Sequence, residues 1–201
     1  MNVLAVGAHP DDIELGCFGT LTKHRNSGDK IFGVIITSGE LASNPKTREK
    51  ESMEAAKLID MNLTFGNFPD GNVQANSILV SFLDNIIKKK KINIMYVHTE
   101  HDRHQDHVSI ARAGISAARN LKQLYSYETP SVISDFHPQL FVDITKTLQT
   151  KTSAIKKHKS QMGKVYMQIE AIKGIAKFRA YQCGLRKRFC ESFEVHKVVR
   201  D

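Results

Sequence analysis

Three continuous apolar runs constrain this chain more than anything else in it: Val3–Ala8, Ile31–Thr37 and Ile92–His98. A run that is apolar at nearly every position, rather than at every second one, suits a strand covered on both faces. Such strands alternating with helical segments give a parallel sheet with helices on either side. The helical segments read as Asp11 to about Ser27, with Pro10 near the first turn and Gly28 closing it, and a second from about Pro45 that carries Met53, Ala56, Leu58 and Ile59 toward a core. Two more follow, Ser77–Lys90, with Ile78, Phe82, Leu83, Ile86 and Ile87 as its apolar stripe, and His104–Asn120. Asn62–Phe65 reads as a short further strand before the turn Asn67–Gly71. Beyond position 120 the alternation loosens: Leu140–Ile144 reads as a strand, Lys146–Lys159 and Val165–Gln182 as helices, Glu194–Val199 as a last strand. The expected fold is α/β, a Rossmann-like, mostly parallel sheet forming one domain over 1–201.

Bulk properties narrow the class without naming a function. The chain is 41% hydrophobic and 25% charged, ordinary for a globular protein. No apolar run approaches the roughly 18–20 residues of a membrane span. Met1–Val6 lacks a basic leader region, so no signal peptide and a cytoplasmic location are expected. Cys17, Cys183 and Cys190 form no CxxC pair and read as reduced structural thiols. The net charge of +8 raises the question of nucleic acid. Yet Lys88–Lys91, the lysines between Lys146 and Lys164, and Arg186–Arg188 read as solvated helix faces, and no nucleic-acid motif or Trp accompanies them. A small-molecule partner is expected instead, and a homo-oligomer is compatible with the sequence.

Chemistry concentrates where two strands end. After the first strand stand His9, Pro10, Asp11, Asp12 and Glu14; the Ile92–His98 strand ends in a ten-residue stretch, His98 to His107, holding four of the nine histidines. In open α/β sheets ligands bind beyond the carboxyl ends of strands, which brings both clusters to one edge. Imidazoles and carboxylates without cysteine pairs suit zinc, with iron(II) or cobalt(II) as alternatives. A catalytic zinc site needs about three protein ligands and an open position. His9 and Asp12 are three apart at a helix start, and His104 and His107 repeat that spacing, so a two-His, one-carboxylate set assembles from two distant segments. Asp11 is left over as a general base for water. A spare histidine, His104, could donate to an oxyanion or protonate a leaving amine, and Asp106 could fix a neighbouring tautomer. The chemistry indicated is metal-assisted hydrolysis of an amide or ester.

At these residues the sequence resembles the PIG-L/LmbE-like family of zinc-dependent N-acetylglucosaminyl deacetylases. The family's opening motif stands as Ala8-His9-Pro10-Asp11-Asp12-Ile13-Glu14, and its second as His104-Gln105-Asp106-His107, with Gln105 where Pro is common. The likeness continues through Thr37–Glu40, Arg48–Glu51, Phe68–Gly71, His158–Gln161 and Glu191–Glu194. It implies zinc on His9, Asp12 and His107, Asp11 as base, His104 at the oxyanion, and Glu14 and Asp106 as supports. It further implies Arg48 and His158 near substrate, and loss of acetyl from an N-acetylglucosamine-type sugar or conjugate by metal-activated water. The basic charge balance favours an anionic conjugate. Two other classes stay open: a metal-dependent amidase or esterase on a non-sugar substrate, and a nucleotide-binding α/β module without hydrolase activity. The second lacks GxGxxG, since His9–Gly19 puts carboxylates where phosphate would sit.

Overall fold

The computed structural model describes residues 1–199. Seven strands form one sheet in the order β3-β2-β1-β4-β5-β7-β6. β1 (Asn2–Gly7), β2 (Lys30–Thr37), β3 (Asn62–Phe68), β4 (Ile94–His98) and β5 (Gln123–Tyr127) run parallel. β7 (Cys190–Val198) slots antiparallel between β5 and β6 (Leu140–Asp143). The two faces of β1 explain its unbroken apolar sequence. Val3 and Ala5 join a core beneath α1 (Asp12–Gly16), α2 (Phe18–Asn26) and α3 (Pro45–Ala56); Leu4 and Val6 join another beneath α4 (Ser77–Lys89) and α5 (Gln105–Ala117). Strand order reverses beside β1, because β2 and β3 lie to one side and β4 to the other, and the crevice at that reversal is where α/β sheets bind ligands.

Several local features refine the expectations. The helix read from Asp11 to about Ser27 breaks at Cys17, whose φ is −139°. Gly16 lies so close to Tyr127 that an added Cβ would sit 2.1 Å from the ring, so the tyrosine presses into the elbow. Cys17 itself is fully buried, as expected, and all three cysteines are free. In α3, Asn44 caps Thr47 N at 3.2 Å and Pro45 opens the first turn. Met53 and, just past that helix, Leu58 point outward at 45% and 41% exposure, against expectation, while Ala56 and Ile59 are buried. β3 runs on through Phe68, and β5 is a strand the sequence pattern did not reveal. In the last third α6 (Leu148–Ile155) and α7 (Ile169–Gln182) are shorter than the helices expected there. Among the described residues no helix is long and apolar enough to cross a membrane.

Candidate active site

β1 and β4 are sheet neighbours, so the segments that follow them meet. His9 Nδ1 lies 3.3 Å from Asp12 Oδ2 and 3.4 Å from His107 Nε2, and His107 Nε2 lies 3.5 Å from Asp12 Oδ2. A tetrahedral cation with bonds near 2.0–2.1 Å needs donor atoms about 3.3–3.4 Å apart. The triangle fits. Two imidazole nitrogens facing each other beside a carboxylate, all buried, are otherwise an unfavourable arrangement.

The other nitrogen of each of these two histidines faces a carboxylate. His107 Nδ1 is 2.9 Å from Asp102 Oδ2, and that carboxylate also receives the Thr129 hydroxyl at 2.7 Å and the His104 backbone N–H at 2.8 Å. His9 Nε2 is 3.0 Å from Asp70 Oδ1. Asp106 accepts the backbone N–H groups of Gly71 and Val73 at 2.8 and 3.1 Å, which pins the loop carrying Asp70 over His9. Carboxylates behind metal-binding imidazoles fix tautomer and orientation. Asp70 and Asp102 both stand inside motifs legible in the sequence, but only the folded loops show what they hold. His98 is a further surprise. It stacks on His107 with ring centres 3.9 Å apart, and its Nε2 accepts the Ala8 N–H at 3.0 Å, which leaves it a neutral spacer.

Electrostatics follow from this crowding. Burial works to lower His9, but Asp106, Asp12 and Asp70 outweigh it and raise the ring to about 12. Burial likewise opposes the proton on His107, and Asp12 and Asp102 raise it to about 9. His98 falls to about 4 through burial and the neighbouring His107. Asp11 rises to about 6, from burial and then from Asp12, against the pull of Arg48.

Asp11 occupies a costly backbone conformation. Its φ of 121° is left-handed territory for a residue with a Cβ, worth of order 1–3 kcal/mol of strain. Arg48, reaching in from α3, holds the turn: its guanidinium donates to Pro10 O at 2.5 Å, Gly39 O at 3.1 Å and Asp11 Oδ2 at 3.2 Å. His104 caps α5, accepting the Asp106 N–H on Nδ1 at 3.3 Å, so its proton resides on Nε2. A cavity of about 710 Å³ opens here, lined by His9, Asp11, Asp12, Arg48, His104 and His107 among others. Glu14 and His158 do not line it. Both are fully buried, with His158 Nε2 3.4 Å from Glu14 Oε1 on the inner face of α1, so His158 lies beneath the cavity rather than in its wall.

Fold and site together define the class, an α/β protein with an imidazole–carboxylate centre at the switch point of a Rossmann-like sheet. The chain belongs to the PIG-L family of deacetylases: the family model described as GlcNAc-PI de-N-acetylase matches residues 4–118. The uncharacterized deacetylase YaiS of Escherichia coli (strain K12) is 40% identical over 168 residues, covering 79% of this chain and 90% of that protein. The diacetylchitobiose deacetylase of Thermococcus kodakarensis is 25% identical over 187 residues, covering 79% of this chain and 69% of that protein. The crystal structure of the conserved protein TT1542 from Thermus thermophilus superposes with a TM-score of 0.88 at 25% identity, over 99% of this chain and 96% of that one.

Proposed function

We propose that the protein is a zinc-dependent hydrolase that removes acetyl from the nitrogen of an N-acetylglucosamine-type sugar or conjugate, releasing a free amine and acetate. The observation that carries the reading is the triangle of His9, Asp12 and His107 with Asp11, outside the triangle, beside it in the cavity wall. When bound there, a divalent zinc supplies a Lewis acid that polarises the acetyl carbonyl and acidifies water. The protein's own groups do the rest. Asp11, held by Arg48, takes the proton of the attacking water as that oxygen adds to the carbonyl carbon. His104 donates its Nε2–H to the oxygen of the tetrahedral adduct, where charge develops. Collapse of the adduct breaks the C–N bond, and the proton taken up by Asp11 passes to the departing amine. The sugar class is supported by the diacetylchitobiose deacetylase among the relatives.

Metal analysis of the purified protein and acetate release from a panel of N-acetylglucosamine conjugates test this. Asp11→Asn should keep the metal and lose at least about two orders of magnitude in kcat, the scale of a general base. Full activity in that variant would remove Asp11 from the mechanism.

A further inference from the structure

The loop that follows β5 supplies the hydroxyl on Asp102 and three residues of the cavity wall, Thr129, Pro130 and Ser131. Its crown runs alongside the histidine-rich loop and is bonded to it at successive points. The Ile133 N–H donates to His101 O at 2.9 Å, the Arg103 N–H to Ser131 O at 3.2 Å, and the Thr129 hydroxyl to Asp102 Oδ2 at 2.7 Å. The segment 128–136 is thus a splint along the backbone that leads into His104 and His107.

Both ends of this splint converge on one side chain of α7. Arg179 donates from Nε to Glu128 Oε1 at 2.8 Å and from Nη2 to Glu128 Oε2 at 2.6 Å. Its guanidinium carbon stands 5.4 Å from the centre of the Phe136 ring and 5.5 Å from that of Phe178. Glu128 opens the loop, and Phe136, which is buried, closes it. Glu128 Oε1 also accepts the Ser192 hydroxyl at 2.7 Å, which ties the same carboxylate to β7. Two parallel charge-assisted bonds give a guanidinium–carboxylate pair both strength and a fixed plane, and at 13% exposure for each side chain water weakens this one little. The helix does not depend on it for docking, because Ile172, Ala176 and Ala180 bury its inner face.

We propose that Arg179 is a positioning residue for the metal centre: by clamping Glu128 and Phe136 it sets the Thr129 hydroxyl on Asp102, and Asp102 in turn sets the imidazole of His107. This rests on reading His107 as a metal ligand. An outward shift of the loop by about 1 Å would take the 2.7 Å bond from Thr129 beyond the range of an O–H···O hydrogen bond. Groups behind a ligating imidazole are worth about tenfold or more in metal affinity. A lysine could supply the charge at position 179 but neither the fork nor the flat face that meets Phe136.

The test is a double-mutant cycle on zinc affinity, measured by competition with a chromophoric chelator. Thr129→Val and Arg179→Met should each weaken zinc binding by about tenfold. The double variant should fall within about twofold of the weaker single one, because both substitutions act through the same hydroxyl. Losses that multiply to about a hundredfold, or an Arg179→Met affinity within twofold of wild type, overturn the proposal. Arg179→Lys should match Arg179→Met, and recovery to wild-type affinity would reduce the arginine to a bare charge and overturn the clamp. If Arg179→Met does not fold, Glu128→Gln takes its place in the cycle with the same outcomes. A second readout needs neither metal nor turnover. In metal-free wild type the His107 Nδ1–H, held by Asp102 at 2.9 Å, should give a slowly exchanging resonance in proton–nitrogen spectra of the ring. In Arg179→Met its exchange with water should quicken by about tenfold or more, and unchanged exchange refutes the relay. A wild type that binds no zinc sinks the ligand reading, and this resonance then decides the role of Arg179 by itself.

Discussion

Asp102→Asn is the perturbation that best isolates how the centre is held. The Asp102 side chain is fully buried and collects three donors, His107 Nδ1–H at 2.9 Å, the Thr129 hydroxyl at 2.7 Å and the His104 N–H at 2.8 Å. Its carboxyl is held well below the usual range: burial opposes ionisation, but the bond to His107 and that ring's charge outweigh it. The amide keeps the shape and removes the charge. If its oxygen stays toward His107 and Thr129, its NH2 must face the His104 N–H, so one bond is lost and two are weakened. Leaving that half-buried donor without its partner costs about 1 kcal/mol of stability, the low end for an unsatisfied group. The loss of a carboxylate behind a ligating imidazole should weaken metal binding about 10–100-fold, or about 1.4–2.7 kcal/mol. Competition against a chromophoric chelator measures that dissociation constant, and a thermal melt of the metal-free variant reads stability separately. A folded Asp102→Asn protein whose zinc affinity stays within twofold of wild type would refute the idea that Asp102 orients His107. Asp102→Ala is the poorer probe, since it strands all three donors together.

Other outcomes follow from the same structure. In the metal-free protein His9 and His107, raised to about 12 and about 9, carry protons at pH 7. A cation must displace both, so affinity should rise with pH by up to about a hundredfold per unit below pH 9 and more gently above it; calorimetry in buffers of different ionisation enthalpy should count about two protons released per metal, and none released would contradict the ligand set. His9→Ala should lower metal occupancy, and unchanged metal content would dismantle the assignment of that ligand. Lys151→Met breaks a buried pair in which the ammonium lies 2.6 Å from both Glu191 Oε1 and Leu15 O. It should cost about 3–5 kcal/mol, visible as a lower urea midpoint; a midpoint within experimental error of wild type would show the pair to be dispensable.

What the sequence revealed depended on how local the cause was. β1, β2 and β4 were legible because their cover is two-sided and their residues are apolar without interruption. β5 was not: Gln123-Leu124-Tyr125-Ser126-Tyr127 mixes polar and aromatic groups, and Ser126 is buried only because its hydroxyl reaches His98 O and His196. The elbow at Cys17 was hidden because its cause, Tyr127, lies more than a hundred positions away. The two histidine–carboxylate clusters stood out through residue type and spacing. The fold brings both to one place, whereas Asp70 and Asp102 acquire their partners only from loops that return over that place. His158 shows the converse, a histidine conspicuous in the sequence that the fold buries outside the cavity wall.

The place of β7 between β5 and β6 bears on how the molecule comes into being. The strand that closes the sheet comes last in the order of synthesis, and Glu194 on it grips Thr99 and His101, the first residues of the histidine-rich loop. A nascent chain can lay down β1 to β5 early, yet Thr99 and His101 gain their Glu194 partner only once residues nearly a hundred places downstream have threaded into position. The start of the histidine-rich loop therefore settles late, and the unfinished intermediate, with β5 as a bare edge, is the species most exposed to wrongful pairing with its neighbours.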